Sequence, residues 1–135
     1  MNMPRVSQYM DRNLQTLKPD TDLLAAVDFL LEHHVTGAPV VNEAGEVVGI
    51  ISEKDLLRLL AAGVDNQLPK GTVADFMTKN PRTVSANMNI FFCAGMFLGD
   101  YVRRYPVVDN GKLVGAITRF DILRAVREIG RQMGS

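Results

Sequence analysis

Leu23, Leu24, Val27, Leu30 and Leu31 recur at helical spacing, which predicts an amphipathic helix capped by Asp20 or Thr21. The piece before it, from Thr16 to Pro19, reads as extended, because a residue preceding proline is biased away from helix. After His33-His34 and Gly37-Ala38 the pattern changes. Pro39-Val-Val41 reads as a strand, Asn42-Glu-Ala-Gly45 as a turn, and Val47-Val-Gly-Ile-Ile51 as a returning strand apolar enough to be covered on both faces. Ser52 then caps a second helix with apolar positions Leu56, Leu57, Leu59 and Leu60, and Gly63 is its expected stop. Residues 1–15 carry Pro4 and little periodicity, so they read as a lead-in with a helical turn around Ser7-Gln-Tyr-Met10. The unit is β-α-β-β-α.

The same order then returns. Val6-Ser-Gln-Tyr-Met10 lies over Val73-Ala-Asp-Phe-Met77 at a shift of 67 residues, as do Thr16 over Thr83, Asp20 over Asn87 and Pro39-Val-Val41 over Pro106-Val-Val108. One residue is lost between the turns Asn42-Glu-Ala-Gly45 and Asp109-Asn-Gly111, a tolerant place for a deletion. Beyond it, Gly49, Ser52, Asp55 and Arg58 match Gly115, Thr118, Asp121 and Arg124. The expected class is α+β, divided into residues 1–68 (lead-in and first repeat) and 69–135 (second repeat and C-terminal helix), with 61–71 as linker. Asn110-Gly111 predicts a tight hairpin turn. The helix expected over Asn89–Asp100 contains Gly95 and Gly99, a smooth stripe that suits either close packing of another helix or neutral drift. Phe91, Phe92, Met96, Phe97 and Leu98 cover more than one of its faces, which suggests contact with both its own sheet and a partner. The last helix is expected from Asp121 to about Ile129, with Arg124, Arg127 and Arg131 on a solvated side.

Composition narrows the function. The chain has 135 residues, 47% of them hydrophobic, and a formal net charge of zero, so a core is affordable and counterion release from nucleic acid has little to work with. The longest apolar run, Ile90 to Leu98, is too short for a bilayer, and no apolar block follows Met1-Asn-Met-Pro-Arg5. Cys93 is the single cysteine and reads as a small core residue, so no intrachain disulfide is available and a reducing cytoplasm is expected. His33-His34 lacks the further ligands of a metal site, and Lys70-Gly-Thr72 lacks the glycine spacing of a phosphate loop. No nucleophile stands at motif spacing from a base and no repeat pairs carboxylates, so no catalytic residue and no enzyme are expected.

Two β-α-β-β-α units, each with a Pro-Val-Val strand, a Gly-x-x-(Ser/Thr)-x-x-Asp junction and a Met-Thr or Met-Asp lead-in, resemble a tandem pair of CBS (cystathionine β-synthase-type) domains, the Bateman module. The resemblance covers roughly residues 6–128. It implies repeats packed through their sheets around a pseudo-two-fold axis, with two clefts that take an adenine nucleotide or S-adenosylmethionine. In each cleft one repeat supplies the ribose-binding Asp and the other the adenine shelf. Carried over, one cleft combines Ile50, Ser52 and Asp55 with Thr83, Val102, Arg103 and Arg104, and the other combines Ala116, Thr118 and Asp121 with Thr16, Val35, Thr36 and Gly37. The implied ligand is AMP, ADP or ATP, with S-adenosylmethionine or NAD behind them. The implied assembly is a homodimer, and a regulatory effect then needs an effector protein; the zero net charge and the short apolar runs give no expectation of nucleic acid or membrane, although some family members take a nucleic-acid role.

The residues support that expectation on their own chemistry. A carboxylate accepts both hydroxyls of a ribose, and Lys54 and Arg119 just inside each helix start supply cations for phosphates. By this reading the Asp55 cleft is the better phosphate site, since it gathers Lys54, Arg103 and Arg104, while Phe120 narrows the Asp121 cleft. Arg103-Arg104 stand where the first repeat has Thr36-Gly37, so the clefts are not equivalent, and the bulky arginines are as able to fill one as to hold phosphate in it. Ser-x-x-Asp and Thr-x-x-Asp also fit a helix capping box, which does not exclude a ligand. The rival expectation is a dimerisation or adaptor module with vestigial clefts.

Overall fold

The computed structural model describes residues 3–62 and 70–134, so Gly63 and most of the expected linker lie outside the described residues. The chain forms two compact units, residues 15–81 and residues 1–14 with 82–135. These interleave along the chain, whereas the sequence reading divides it once, between residues 68 and 69. Each unit carries a three-stranded sheet and helices, an α+β architecture.

In the 15–81 unit, α1 spans Leu23–Glu32, β1 Gly37–Val41, β2 Val47–Ser52, α2 Glu53–Ala61, α3 Val73–Phe76 and β3 Thr78–Lys79. The cap of α1 is Asp22, whose carboxylate accepts from the Leu24 amide at 3.1 Å. Asp20 and Thr21, the residues expected there, are instead held in a turn by the Thr21 amide donating to the Lys18 carbonyl at 3.1 Å. The hairpin β1–β2 runs from Gly37 opposite Ser52 to Val41 opposite Val47, with a bulge between Val40 and Val41. Its turn is tied by Asn42, whose side-chain oxygen accepts from the Glu46 amide at 2.9 Å. The extended piece before α1 is short: Leu17 bridges Val40 in parallel. The core gathers Leu17, Ala26, Leu30, Ala38, Val40, Ile51 and Val73.

The other unit holds a 3-10 turn at Val6–Gln8, β4 Val84–Ser85, α4 Ile90–Gly99, β5 Arg104–Asp109, β6 Lys112–Thr118 and α5 Arg119–Gly134. Strand β4 runs parallel to β5, and β5–β6 is a hairpin whose Asn110 and Gly111 both take positive φ, 52° and 79°, as the tight turn demands. Helix α5 continues five residues past the expected Ile129. Nothing lies within 4 Å of a Cβ built on Gly95 or Gly99, so among the described residues no helix packs closely there. The core is Val6, Val84, Ile90, Cys93, Phe97, Tyr105, Val107, Ile117, Ala125 and Ala86.

The interleaving is an exchange of lead-ins. The Val73 and Ala74 amides donate to Thr21 and Pro19 carbonyls at 2.8 and 2.9 Å, and the Val6 and Ser7 amides donate to Met88 and Ala86 carbonyls, each at 2.9 Å. These are the same bonds at the repeat's spacing, with partners swapped. The first copy's lead-in therefore completes the unit of the second copy, and the second copy's lead-in completes the unit of the first. The glycine of the junction motif makes room for it. A Cβ on Gly49 would lie 2.4 Å from the Met77 sulfur and 2.9 Å from the Thr78 carbonyl, and one on Gly115 would lie 2.6 Å from the Met10 sulfur and 3.0 Å from the Asp11 carbonyl. Met and Gly recur together in the repeat because each methionine covers a glycine in the unit it joins.

Candidate ligand-binding junctions

Each Gly-x-x-(Ser/Thr)-x-x-Asp stretch takes the chain off a strand end into a helix. At the first, β2 ends at Ser52 and α2 begins at Glu53. Asp55 Oδ2 accepts from the Ser52 amide at 2.9 Å and from its hydroxyl at 3.0 Å, while the Asp55 amide reaches Ser52 Oγ at 3.4 Å. Asp55 is the one charged residue buried among the described residues. Its second oxygen, Oδ1, accepts from the Thr78 hydroxyl at 3.3 Å and lies 3.6 Å from Arg58 Nη1. At the second junction, Asp121 Oδ2 accepts from the Thr118 amide and hydroxyl at 2.9 and 3.0 Å, and Oδ1 lies 3.6 Å from Arg124 Nη2.

Both junctions are thus true capping boxes, as the local sequence allows. Thr72 and Asp75, ahead of α3, make the same pair of bonds to Asp75 Oδ2, at 2.9 and 3.2 Å, on an exposed corner. Capping geometry alone therefore does not mark a ligand site; the position at a strand end is what sets Asp55 and Asp121 apart from Asp75.

The remaining expected site residues fall as follows. In the 15–81 unit, Val35, Thr36 and Gly37 adjoin the junction: Gly37 is opposite Ser52, and the Thr36 carbonyl accepts from the Glu53 amide at 2.8 Å. Ile50 is half-buried two residues before Ser52, Lys54 is exposed on the first turn of α2, and Thr16 is exposed beside the Leu17 bridge. In the other unit Arg104 is opposite Thr118 and Pro106 opposite Ala116. Val102, Arg103 and Arg104 are exposed, and Thr83 is half-buried just before β4. Within each unit, the residues that meet are therefore halves of the two different combinations the resemblance implies.

Arg119 has a structural engagement. Its guanidinium donates to the Phe97 and Asp100 carbonyls at 3.3 and 3.4 Å, so it closes the C-terminal end of α4. Asp100 itself accepts from Arg82 Nη1 at 3.0 and 3.2 Å and from the Tyr105 hydroxyl. The Tyr105 hydrogen bond, with Arg82 adding to it, holds the Asp100 carboxyl below the usual carboxylate range against a smaller desolvation effect. Burial, then the Asp100 carboxylate, pushes the Tyr105 hydroxyl well up. Burial alone pushes the Cys93 thiol up to about 11, which makes it an inert core residue, as its sequence reading has it. Tyr9 donates to Glu128 at 2.7 Å, and Arg124 donates to the Tyr9 carbonyl at 2.9 Å, strapping the lead-in to α5.

Sequence reasoning missed Thr78, Asp100 and Tyr105. The available signal was difference between copies: Arg82, Asp100, Tyr105 and Arg119 replace Gln15, His33, Ala38 and Glu53 at equivalent positions. Among the described residues no group of three or more His, Cys, Asp or Glu stands ready for a metal, and no helix is long and apolar enough to cross a membrane.

A duplicated strand-end junction with a capped aspartate, on two units built alike, defines a tandem-repeat class of small α+β protein. The chain belongs to the CBS-domain family, whose model matches residues 6–62 and 73–128. It is 35% identical to the chloroplastic CBS domain-containing protein CBSX2 of Arabidopsis thaliana over 147 aligned residues, covering 90% of this chain and 62% of that protein. It is 30% identical to the uncharacterized protein MJ1225 of Methanocaldococcus jannaschii, covering 88% of this chain and 41% of that one. The chain thus spans less than two thirds of either relative's length. Among solved structures, CBSX2 in complex with AMP matches at a TM-score of 0.81 and 35% identity, over 93% of this chain and 97% of that one. The CBS domain pair of protein MJ0100, in complex with 5′-methylthioadenosine and S-adenosyl-L-methionine, matches at 0.77 and 26% identity, over 95% and 99%.

Proposed function

We propose that the chain is a non-catalytic regulatory module that binds an adenine-containing small molecule at one or both (Ser/Thr)-x-x-Asp junctions, and signals as a homodimer to an effector protein. AMP, ADP and ATP are the first ligands to consider, S-adenosylmethionine and NAD the next. The observation that carries this reading is the AMP complex of CBSX2, a protein of the same family whose solved chain this one covers almost completely. The MJ0100 complex supports the wider class, since its two ligands share with AMP only the adenine and the ribose ring.

Homodimerisation is supported by a duplicated apolar face. Leu24, Leu31, Leu57 and Leu60 on α1 and α2 are exposed, and so are Phe91, Leu98, Leu123 and Val126 at the equivalent positions of α4 and α5. A groove of about 560 Å³ between α1 and α2 is lined by Leu23, Val27, Leu30, Leu56 and Leu59 among others. Large exposed apolar patches mark interaction surfaces, and a face present twice in one chain suits the self-complementary contact of a two-fold dimer. Leu57→Glu is expected to lower the sedimentation coefficient of a dimer to that of a monomer.

The test of ligand binding is a thermal-shift screen with AMP, ADP, ATP, NAD and S-adenosylmethionine. A ligand at 100 times its Kd stabilises by about 2.7 kcal/mol, enough for a shift of several degrees in a domain of this size. No shift with any of the five, on folded protein, would favour the adaptor alternative. That alternative has one observation on its side, the Thr72–Asp75 box, which makes the same bonds purely as a cap.

A further inference from the structure

We infer that the two junctions have divided their roles: Asp121 is the carboxylate that accepts the ribose hydroxyls of the ligand, and Asp55 is a structural carboxylate held by Thr78. This assignment rests on the adenine-ligand reading above and reverses the order in which the sequence ranks the two.

The two carboxylates differ in the lone pairs they have left. In both junctions Oδ2 is occupied by the amide and hydroxyl of the residue three positions back, which leaves only Oδ1 to offer a ligand. Asp55 Oδ1 already accepts from Thr78 Oγ1 and faces Arg58, and its side chain is only 6% exposed. One lone pair of Asp55 Oδ1 remains, so a ribose offering both hydroxyls to it would have to displace the Thr78 hydroxyl, for no net gain from the second bond. Asp121 Oδ1 accepts no hydrogen bond from any described residue, and its side chain is 14% exposed. Arg124, the cationic neighbour among the described residues, stands 3.6 Å away and is anchored by donating to the Tyr9 carbonyl, so the lone pairs of Oδ1 stay free.

The exchanged lead-ins explain the asymmetry. Thr78 stands opposite Ile50 on β2, and Asp11 stands opposite Ala116 on β6, the equivalent place in the other unit. Threonine brings a hydroxyl donor to its aspartate. Aspartate brings only acceptors, and Asp11 Oδ1 is turned to the Asn13 amide at 2.9 Å. The lead-in thus silences one junction and leaves the other open.

The experiment is calorimetric titration of the full chain with AMP and with 2′-deoxy-AMP, on wild type, Asp55→Asn and Asp121→Asn. Asp121→Asn is expected to weaken AMP roughly 10- to 100-fold, the worth of hydrogen bonds to a charged group, and to abolish the preference for AMP over its 2′-deoxy analogue. Asp55→Asn is expected to keep AMP affinity within about twofold and to keep that preference. Affinity lost in Asp55→Asn and kept in Asp121→Asn, or lost in both, overturns the assignment while the adenine reading survives. A wild type that binds none of the adenine ligands overturns both. If Asp121→Asn fails to fold, Asp55→Asn decides alone: retained AMP binding with retained 2′-hydroxyl preference supports the assignment, and loss of either overturns it.

Discussion

The two units share strand order, junctions and exchanged lead-ins, yet differ at the corner where the first helix meets the hairpin. In the 15–81 unit that corner holds His33, beside Phe29 with ring centroids 4.4 Å apart, and the small Ala38 in the core. In the other unit Tyr105 fills the place of Ala38 and packs on Phe97 at 4.6 Å, Asp100 takes its hydroxyl, Arg82 pairs with Asp100, and Arg119 closes the helix end. Four substitutions between the copies form one connected network. A buried hydroxyl without an acceptor costs more than its hydrogen bond returns, so members of such a network are useful only together. A duplicated scaffold can diverge at a buried corner, but it does so by sets of residues.

The fit of each lead-in is most sensitive at the glycine it covers. Gly49→Val is expected to cost about 3 kcal/mol and Gly115→Val about 2, because the new side chain meets a methionine and a backbone carbonyl in both units, more closely in the first. Urea unfolding curves would check the order. Equal and negligible losses would mean that neither methionine is held over its glycine.

The corner comparison predicts a smaller effect confined to one unit. Tyr105→Phe is expected to destabilise by about 1–2 kcal/mol by removing the main partner of Asp100. It also changes the response to acid. The folded carboxyl of Asp100 lies below its unfolded value, so its stabilisation is present above the ordinary carboxylate pKa and is lost as pH falls through the folded one. Stability of Tyr105→Phe is therefore expected to fall less steeply than wild type on acidification.

At the alkaline end the sign reverses. Burial raises the Cys93 thiol to about 11, so its contribution is complete below the ordinary thiol value and fades as pH rises towards 11. Cys93→Ala should flatten that limb of a stability-versus-pH curve, and a thiol reagent should label native protein only at the rate of unfolding.

The smallest expected effect lies at the junctions. Thr78→Val removes a single hydroxyl from Asp55 and is expected to cost about 0.5–1 kcal/mol, while Asp11→Ala, whose carboxylate accepts from the exposed Asn13 amide, is expected to cost less than about 0.5. A larger loss for Asp11→Ala would show that the lead-in supports both aspartates alike.

Much of this was legible in the chain itself. The hairpins, the Asn110-Gly111 turn, the junction caps and the core helices depend on contacts within a few residues, and the spacing of 67 residues announces that they occur twice. A cap can still be misjudged by two residues when neighbouring polar side chains compete, as Asp20, Thr21 and Asp22 do. The partner of each lead-in was not legible, because Val6-Ser-Gln-Tyr-Met10 and Val73-Ala-Asp-Phe-Met77 offer the same apolar positions to either sheet. Only the tertiary path of the chain decides which glycine each methionine covers. That decision sets Thr78 against Asp55 and Asp11 beside β6, and brings Arg82, Asp100, Tyr105 and Arg119 to one corner from four separate elements of sequence. Local periodicity determines which residues form strands, helices and caps; the lone pairs left free for a ligand depend on long-range pairings that no local pattern encodes.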